Sequence, residues 1–114
     1  MEKLNSMFIP TNDGMKKIEI DEIIYLESDN SHTNIFMIND NCEKVANPLK
    51  MFEETLGISF FRIHNSYLIN GKHIEAILKT KPKKIALKGN IQLPISKTYN
   101  ITFMENLKKY AIVI

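Results

Sequence analysis

Three short groups of polar residues in this sequence carry side chains that suit contact with nucleic acid. The groups are Ser31-His32-Thr33-Asn34, His64-Asn65-Ser66 and Ser96-Lys97-Thr98. An asparagine can bind adenine through two hydrogen bonds, a lysine can reach guanine or phosphate, and hydroxyl groups can reach phosphates. Taken singly, each group is more often a turn, a helix cap or a satisfied core histidine. Only a fold that brings all three groups to one edge makes them a site.

Known catalytic and phosphate-binding patterns are absent from the sequence. Its four glycines stand singly, so there is no glycine-rich phosphate loop, and no HExxH, EF-hand or GxSxG pattern occurs. The histidines, His32, His64 and His73, lack the i, i+4 spacing of a helical metal pair. We therefore expect no enzyme activity, no cofactor and no metal site. A zinc-dependent hydrolase built from the three histidines and an acidic residue is kept as a third hypothesis.

Length and composition indicate one soluble domain that spans residues 1–114. The chain is long enough for one core and too short for two domains. Its single cysteine, Cys42, excludes an intramolecular disulfide framework and a cysteine-based zinc site. No apolar run approaches the roughly 18 residues of a membrane span, and no signal peptide precedes the first strand. These features predict a cytoplasmic protein without a membrane partner.

Charge is distributed unevenly along the chain. The net charge is only +2, but from Arg62 to the C-terminus ten basic residues stand against two acidic ones. Such a distribution allows one basic face on a nearly neutral protein, which weakly favours nucleic acid as a partner.

Hydrophobic periodicity predicts many short antiparallel strands and two helices. Residues 1–14 read as a linker remnant that includes the first short strand, and Thr11–Gly14 form a turn. Strands are then predicted near 15–20, 22–28, 32–38, 42–46, 73–80, 83–88 and 91–96, and strand character over 60–70 is interrupted at His64-Asn65-Ser66. Leu87 should pair with Ile91 across a three-residue loop, since that register keeps the apolar residues on one face. The absence of βαβ alternation excludes the nucleotide-binding α/β folds.

The mid-chain helix has clear start and stop signals. Asn47 suits the N-cap, Pro48 the first helical position and Gly57 the C-terminal stop. Glu53 and Glu54 should face solvent, opposite an apolar stripe formed by Leu49, Phe52 and Leu56.

A second helix is expected from about Thr98 to Tyr110, with Ser96 near its cap and an apolar stripe at Phe103, Leu107 and Tyr110. The final residues, AIVI, are unusually apolar. We expect them to pack on the core; if exposed, they could mediate self-association.

Three segments in order make the sequence resemble the LytTR DNA-binding domain, the output module of many bacterial response regulators. They are IDEIIYLESDNSHTNIFM (20–37), FFRIHNSYLIN followed by HIEAI (60–77), and LPISKTY (93–99). The resemblance extends from about Met7 to Tyr110. It implies a mainly β fold of elongated antiparallel sheets with about ten short strands, one mid-chain helix and a short C-terminal helix.

The resemblance also implies a function and a set of contact residues. Members of this family regulate transcription by sequence-specific binding to double-stranded DNA, with loops in successive major grooves of direct-repeat sites. By position, His32 matches a base-reading residue in the first groove and Asn65 the central contact, with Ser66 beside it on the backbone. Lys97 stands where the family usually has arginine, and because lysine lacks the bidentate fork, phosphate contact is favoured there.

Further candidates surround these positions. Thr33 stands where some members have a second basic residue. The remaining DNA-binding candidates are Ser31, Asn34 and Ser96. His64 is interpreted as structural, with its strand neighbours Arg62 and Ser66 on the same face.

Partners follow from the same resemblance. Most members carry a receiver domain ahead of this one, so this chain is either part of a longer regulator or a free-standing domain. A monomer in solution that pairs on DNA is expected. The alternative function is a non-enzymatic protein–protein interaction module with the same fold, which uses the AIVI terminus.

Overall fold

The computed structural model describes residues 4–114; the first three residues, which belong to the predicted linker remnant 1–14, lie outside that range. Within it the chain forms ten strands and two helices. The strands are β1 Ser6–Thr11, β2 Gly14–Glu19, β3 Ile23–Asp29, β4 His32–Met37, β5 Cys42–Val45, β6 Phe60–His64, β7 Tyr67–Asn70, β8 Ile74–Leu78, β9 Lys84–Leu87 and β10 Ile91–Pro94. The helices are α1 Leu49–Leu56 and α2 Lys97–Tyr110.

The predicted fold class is confirmed. Every strand pair is antiparallel, and the molecule is elongated, with extents of 46 × 33 × 25 Å. The strands form a two-stranded sheet (β1-β2), a three-stranded sheet (β10-β9-β8) and a five-stranded sheet (β5-β4-β3-β7-β6). In the three-stranded sheet Leu87 pairs with Ile91, which confirms the predicted register and the three-residue loop between them.

The five-stranded sheet separates two hydrophobic cores. Leu68 and Ile69 are neighbours in β7 and belong to different cores, as alternation along a strand requires. The β1–β2 hairpin and α1 complete the first core, which includes Ile9, Ile18 and Phe52. The three-stranded sheet and α2 complete the second core, which includes Ile85, Leu93 and Phe103.

Helix α1 starts one residue later than predicted. Pro48 has an extended ψ of 154° and occupies the N-cap itself, so Asn47 is not the cap. Gly57 ends the helix with a φ of 80°, a left-handed conformation that glycine adopts without strain. Glu54 is exposed as expected, but Glu53 is half-buried and pairs with Arg62 Nη1 at 2.6 Å.

Helix α2 is attached to the second core through aromatic rings. Phe103 and Tyr110 both meet the ring of Phe61 edge to face, at centroid distances of 5.6 and 5.3 Å. Gly71 makes this approach feasible, because a Cβ there would lie 2.6 Å from the Phe61 ring and 2.9 Å from the Tyr110 ring. The apolar stripe predicted for this helix therefore anchors it to β6.

The expectation that AIVI packs on the core is wrong. Residues 111–114 follow α2 as an exposed segment, and Ile112 retains 90% of its accessible surface. Among residues 4–114 no helix is long and apolar enough to cross a membrane.

Candidate nucleic-acid interface

The β3–β4 connection is a tight two-residue turn at one end of the five-stranded sheet. Asp29 pairs with His32, and Asn30 and Ser31 form the turn, with Asn30 in the left-handed region at φ 56°. Asparagine tolerates that conformation better than most residues. Asn30 and Ser31 are exposed and His32 is half-buried; Ser31 Oγ lies 3.4 Å from His32 Nδ1.

The β6–β7 connection is a second two-residue turn at the same end of the sheet. It consists of Asn65 and Ser66, and Asn65 is exposed. The backbone N–H of Ser66 donates to His64 Nδ1 at 3.0 Å, and the His64 ring lies 5.3 Å from the Tyr67 ring. The imidazole of His64 thus closes the turn from within, in keeping with its structural interpretation.

A β-bulge precedes this turn and changes the face of His64. Arg62 pairs with Leu68 whereas His64 pairs with Tyr67, so the register shifts between the two β6 residues. Because Leu68 and Tyr67 are adjacent in β7, their partners lie on opposite faces of the sheet. The expectation that Arg62 shares the face of His64 is therefore wrong.

Backbone hydrogen bonds join both turns and the start of α2 into one surface. The N–H of Ser28, near the end of β3, donates to the Ser66 carbonyl at 2.9 Å. The N–H of Ser96, at the N-cap of α2, donates to the Ile63 carbonyl at 2.9 Å. The three predicted groups are thus neighbours, and we call residues 30–32, 64–66 and 96–99 the contact edge.

The β6–β7 turn is braced by side chains from outside it. Arg62 donates from Nε to the His64 carbonyl at 2.8 Å and from Nη2 to the Asn65 carbonyl at 2.7 Å. Its guanidinium also lies 5.6 Å from the centre of the Tyr99 ring, and its side chain is only 15% exposed. Together with the ion pair to Glu53, these contacts tie the turn to both helices.

Tyr99 provides the contact that orients the exposed asparagine. Its hydroxyl donates to Asn65 Oδ1 at 3.2 Å. The Nδ2 group of Asn65 then remains available as a donor, and the carbonyl oxygen keeps a second lone pair. The amide is therefore presented in one orientation at the contact edge.

Two candidate residues need correction. Thr33 is fully buried and its hydroxyl donates to the Asn47 carbonyl at 2.7 Å, because it alternates with Ile35 and Met37 on the core face of β4. Ser96 is half-buried, but its Oγ is inaccessible and has no partner among the described residues. Neither side chain is presented to a ligand at the surface.

The other candidates remain accessible to different degrees. Lys97 and Ser31 are exposed, whereas Ser66 and Asn34 are half-buried. Asn34 lies in mid-strand and pairs with Glu27 and Lys44, three residues after the end of the β3–β4 turn. It is thus peripheral to the contact edge.

Acidic charge near the β3–β4 turn is neutralised locally. Lys44 Nζ lies 3.0 Å from Asp29 Oδ2, and this hydrogen bond and charge lower the pKa of the Asp29 carboxyl. Earlier in β3, burial raises the pKa of the Tyr25 phenol, and the nearby charge of Glu27 raises it further. Asp29 is therefore a carboxylate whose charge is offset by Lys44, and the Tyr25 phenol stays neutral.

The histidines do not assemble into a metal site. Among residues 4–114 no group of three histidine, cysteine or carboxylate side chains is placed to hold an ion. His73 instead donates from Nε2 to the Asp21 carbonyl at 2.6 Å, beyond the end of β7 that is opposite to the β6–β7 turn.

Sequence reasoning missed Arg62 and Tyr99 as parts of this surface. Both belong to the quoted segments FFRIHNSYLIN and LPISKTY, yet nothing in local periodicity connects residues that are 37 positions apart. The structure shows what the sequence does not, a half-buried arginine whose hydrogen bonds hold an exposed turn.

Comparisons with known proteins agree with the fold. A family model described as the LytTr DNA-binding domain matches residues 13–108. Among solved structures, the LytTr DNA-binding domain of a Bacillus cereus protein assigned as a methyl-accepting/DNA response regulator is similar, with a TM-score of 0.78 and 25% sequence identity over 91% of this chain and 97% of that chain. No curated protein matches.

Proposed function

Because this chain belongs to the LytTR DNA-binding domain family, we propose that it is a transcriptional regulator that binds double-stranded DNA sequence-specifically through the contact edge. The observation that carries the proposal is the adjacency of the two turns and the start of α2, joined by the Ser28–Ser66 and Ser96–Ile63 hydrogen bonds. Adjacent loops can read neighbouring base pairs of one site, which separate loops could not do.

Asn65 is the proposed main base-reading residue. It is exposed at the turn, its backbone is held by Arg62 and its amide is oriented by Tyr99. A donor and an acceptor in fixed orientation suit the N7 and N6 groups of adenine in the major groove. Pre-organisation of this kind reduces the loss of conformational entropy on binding.

The proposed supporting contacts are made by His32, Ser31, Ser66 and Lys97. His32 and Ser31 would reach the groove from the β3–β4 turn, and Ser66 would contact the backbone beside Asn65. Lys97 is exposed at the start of α2 and suits a phosphate, since an ammonium group is a point charge with no bidentate geometry.

We further propose that the protein is monomeric in solution and pairs on direct repeats at promoters, with the contact edges of the two copies in successive major grooves. Residues 1–114 then act as one domain in the bacterial cytoplasm, where promoter DNA lies. A receiver domain attached ahead of β1 would raise the local concentration of a second copy at a paired site.

Selection from a random duplex library, repeated at about 50 and 200 mM salt, tests the proposal. Enrichment of a short motif, repeated about one helical turn apart, is the expected result. Recovery without any motif, combined with binding that vanishes at the higher salt, would leave only non-specific attraction and overturn it.

The exposed AIVI terminus favours a second candidate function, a protein-interaction module with the same fold. Ile112 and Ile114 are the most exposed large apolar residues of the described chain. This function predicts no motif in the selection, little dependence of binding on salt and no effect of replacing Asn65.

A further inference from the structure

The β8–β9 connection carries the densest positive charge of the chain. Residues 79–84, which we call the basic loop, comprise this connection and the first residue of β9; their sequence is KTKPKK, with four lysines in six positions. Between Glu75 and Glu105 there are six lysines and no acidic residue at all. The positive charge of this protein is thus concentrated in a segment that no base-reading residue occupies.

The lysines of the basic loop have no acidic partners in the described chain. The ion pairs among residues 4–114 use Lys16, Lys17, Lys44, Arg62 and Lys72. Lys79, Lys81 and Lys83 are exposed and take part in none of them, and the same is true of Lys97. Their charge is therefore available to an anionic partner.

The basic loop lies next to the contact edge, so the anionic partner that it fits is DNA. The N–H of Ile95 donates to the Lys83 carbonyl at 3.0 Å, and the next residue, Ser96, donates to Ile63 at the base of the β6–β7 turn. A cleft of about 550 Å³ separates the loop from the start of α2, with Lys81, Lys83 and Lys97 in its walls. A duplex that lies on the contact edge would therefore extend towards this loop.

We propose that the basic loop and Lys97 together form a second DNA-contacting surface, which binds backbone phosphates next to the bases read at the turns. This inference rests on the proposed function. The loop contains lysine, threonine and proline and lacks the asparagine, glutamine or arginine whose planar groups read base edges with two hydrogen bonds, whereas lysine is a point charge. Its contacts set affinity and orientation, whereas sequence preference comes from the turns.

The variant Lys81→Gln/Lys83→Gln tests the inference. Both residues are exposed in a loop, so the fold should be preserved. Loss of two phosphate contacts should reduce the slope of log K against log salt by roughly 2. At about 100 mM salt we expect affinity to fall on the order of tenfold or more, by the same factor on the selected site and on random duplex.

The matched control is Lys108→Gln/Lys109→Gln, which removes the same charge from the last turn of α2. These lysines follow Lys97 by three turns of that helix, so they lie roughly 17 Å from it along the helix axis. Both are exposed, and neither takes part in a described ion pair. The control should retain affinity much closer to that of the wild type.

The outcomes separate this inference from the proposed function. If wild type selects a motif and the loop variant binds like the control, the basic loop is not a contact surface although the proposed function stands. A loop variant with altered base preference would overturn its assignment to phosphates. Failure of wild type to bind any duplex would overturn both. Ethylation interference provides a second readout, since only the loop variant should lose sensitivity at flanking phosphates.

Discussion

The two turns of the contact edge have the same length and lie side by side, yet they are held very differently. The β6–β7 turn receives two hydrogen bonds from Arg62, one from Tyr99 and an internal one to His64. In the β3–β4 turn the side chains of Ser31 and His32 make one long contact, and outside support reaches it through the flanking Asp29, which Lys44 of β5 binds at 3.0 Å. One turn is pre-organised by side chains, and the other relies on its backbone.

This difference predicts which turn contributes more to sequence-specific binding. A side chain that is already ordered loses little entropy on binding, whereas ordering a free one costs roughly 0.5–1.5 kcal/mol. Asn65 should therefore contribute more net binding free energy than His32, even if both make comparable contacts in the groove. The following substitutions test the comparison.

The largest expected effect is that of Asn65→Ala on the selected site. Loss of an oriented base contact should cost roughly 1–3 kcal/mol, or about fivefold to 150-fold in Kd, and should leave binding to random duplex nearly unchanged. Titration with both duplexes measures this. Asn106→Ala, at an exposed position of α2, is the control; equal behaviour of the two variants would remove Asn65 from the interface.

Arg62→Met should weaken specific binding by on the order of tenfold, although Arg62 need not touch DNA. The change removes two charge-assisted hydrogen bonds to the turn, each worth roughly 1.5–3 kcal/mol, and only part of that loss reaches the binding step. Glu53→Gln is the matched control, because it breaks the ion pair while the bonds from Arg62 to the turn remain. If both variants lose the same affinity, the ion pair and not the bracing of the turn is responsible.

Tyr99→Phe should have a smaller effect, about twofold to tenfold in Kd on the selected site. The substitution removes one hydrogen bond to Asn65 Oδ1, worth roughly 0.5–1.5 kcal/mol, and keeps the ring beside Arg62. Measured on an Asn65→Ala background, it should have almost no further effect, since its partner is gone. Additive losses would show that the hydroxyl acts independently of Asn65.

His32→Ala should have the smallest effect, about twofold to fivefold, because ordering the unbraced turn offsets part of the contact energy. The measurement is again Kd on the selected site, with Asn106→Ala, at an exposed position of α2, as the control. A loss as large as that of Asn65→Ala would contradict the comparison between the turns.

Much of the fold follows from sequence because alternation along strands is a local property. The Leu87–Ile91 register and the stop at Gly57 were predictable for this reason. Alternation in β4 also places Thr33 with Ile35 and Met37, so its burial was within reach of the pattern, although the resemblance had suggested a surface role. The prediction for AIVI was wrong because the hydrophobicity of a segment does not show whether the fold offers a surface on which that segment can pack.

The turns of the candidate site could be predicted from the sequence, but the side chains that hold the β6–β7 turn in place could not. Asn, Ser and Gly signals mark where strands end, so groups near residues 31, 65 and 97 could be found. The bonds of Arg62 and Tyr99 to the β6–β7 turn depend on packing between distant segments and on a bulge that no pattern reveals.

The bulge between Arg62 and His64 makes the length of β6 a constraint on any relative of this protein. Deleting one residue there would restore strict alternation, and Arg62 and the turn residues would no longer face their present partners. The basic loop, by contrast, could gain or lose a residue at little cost, as exposed loops generally do. We expect insertions and deletions among relatives to collect in the loop, while β6 keeps its residue count even where its side chains diverge.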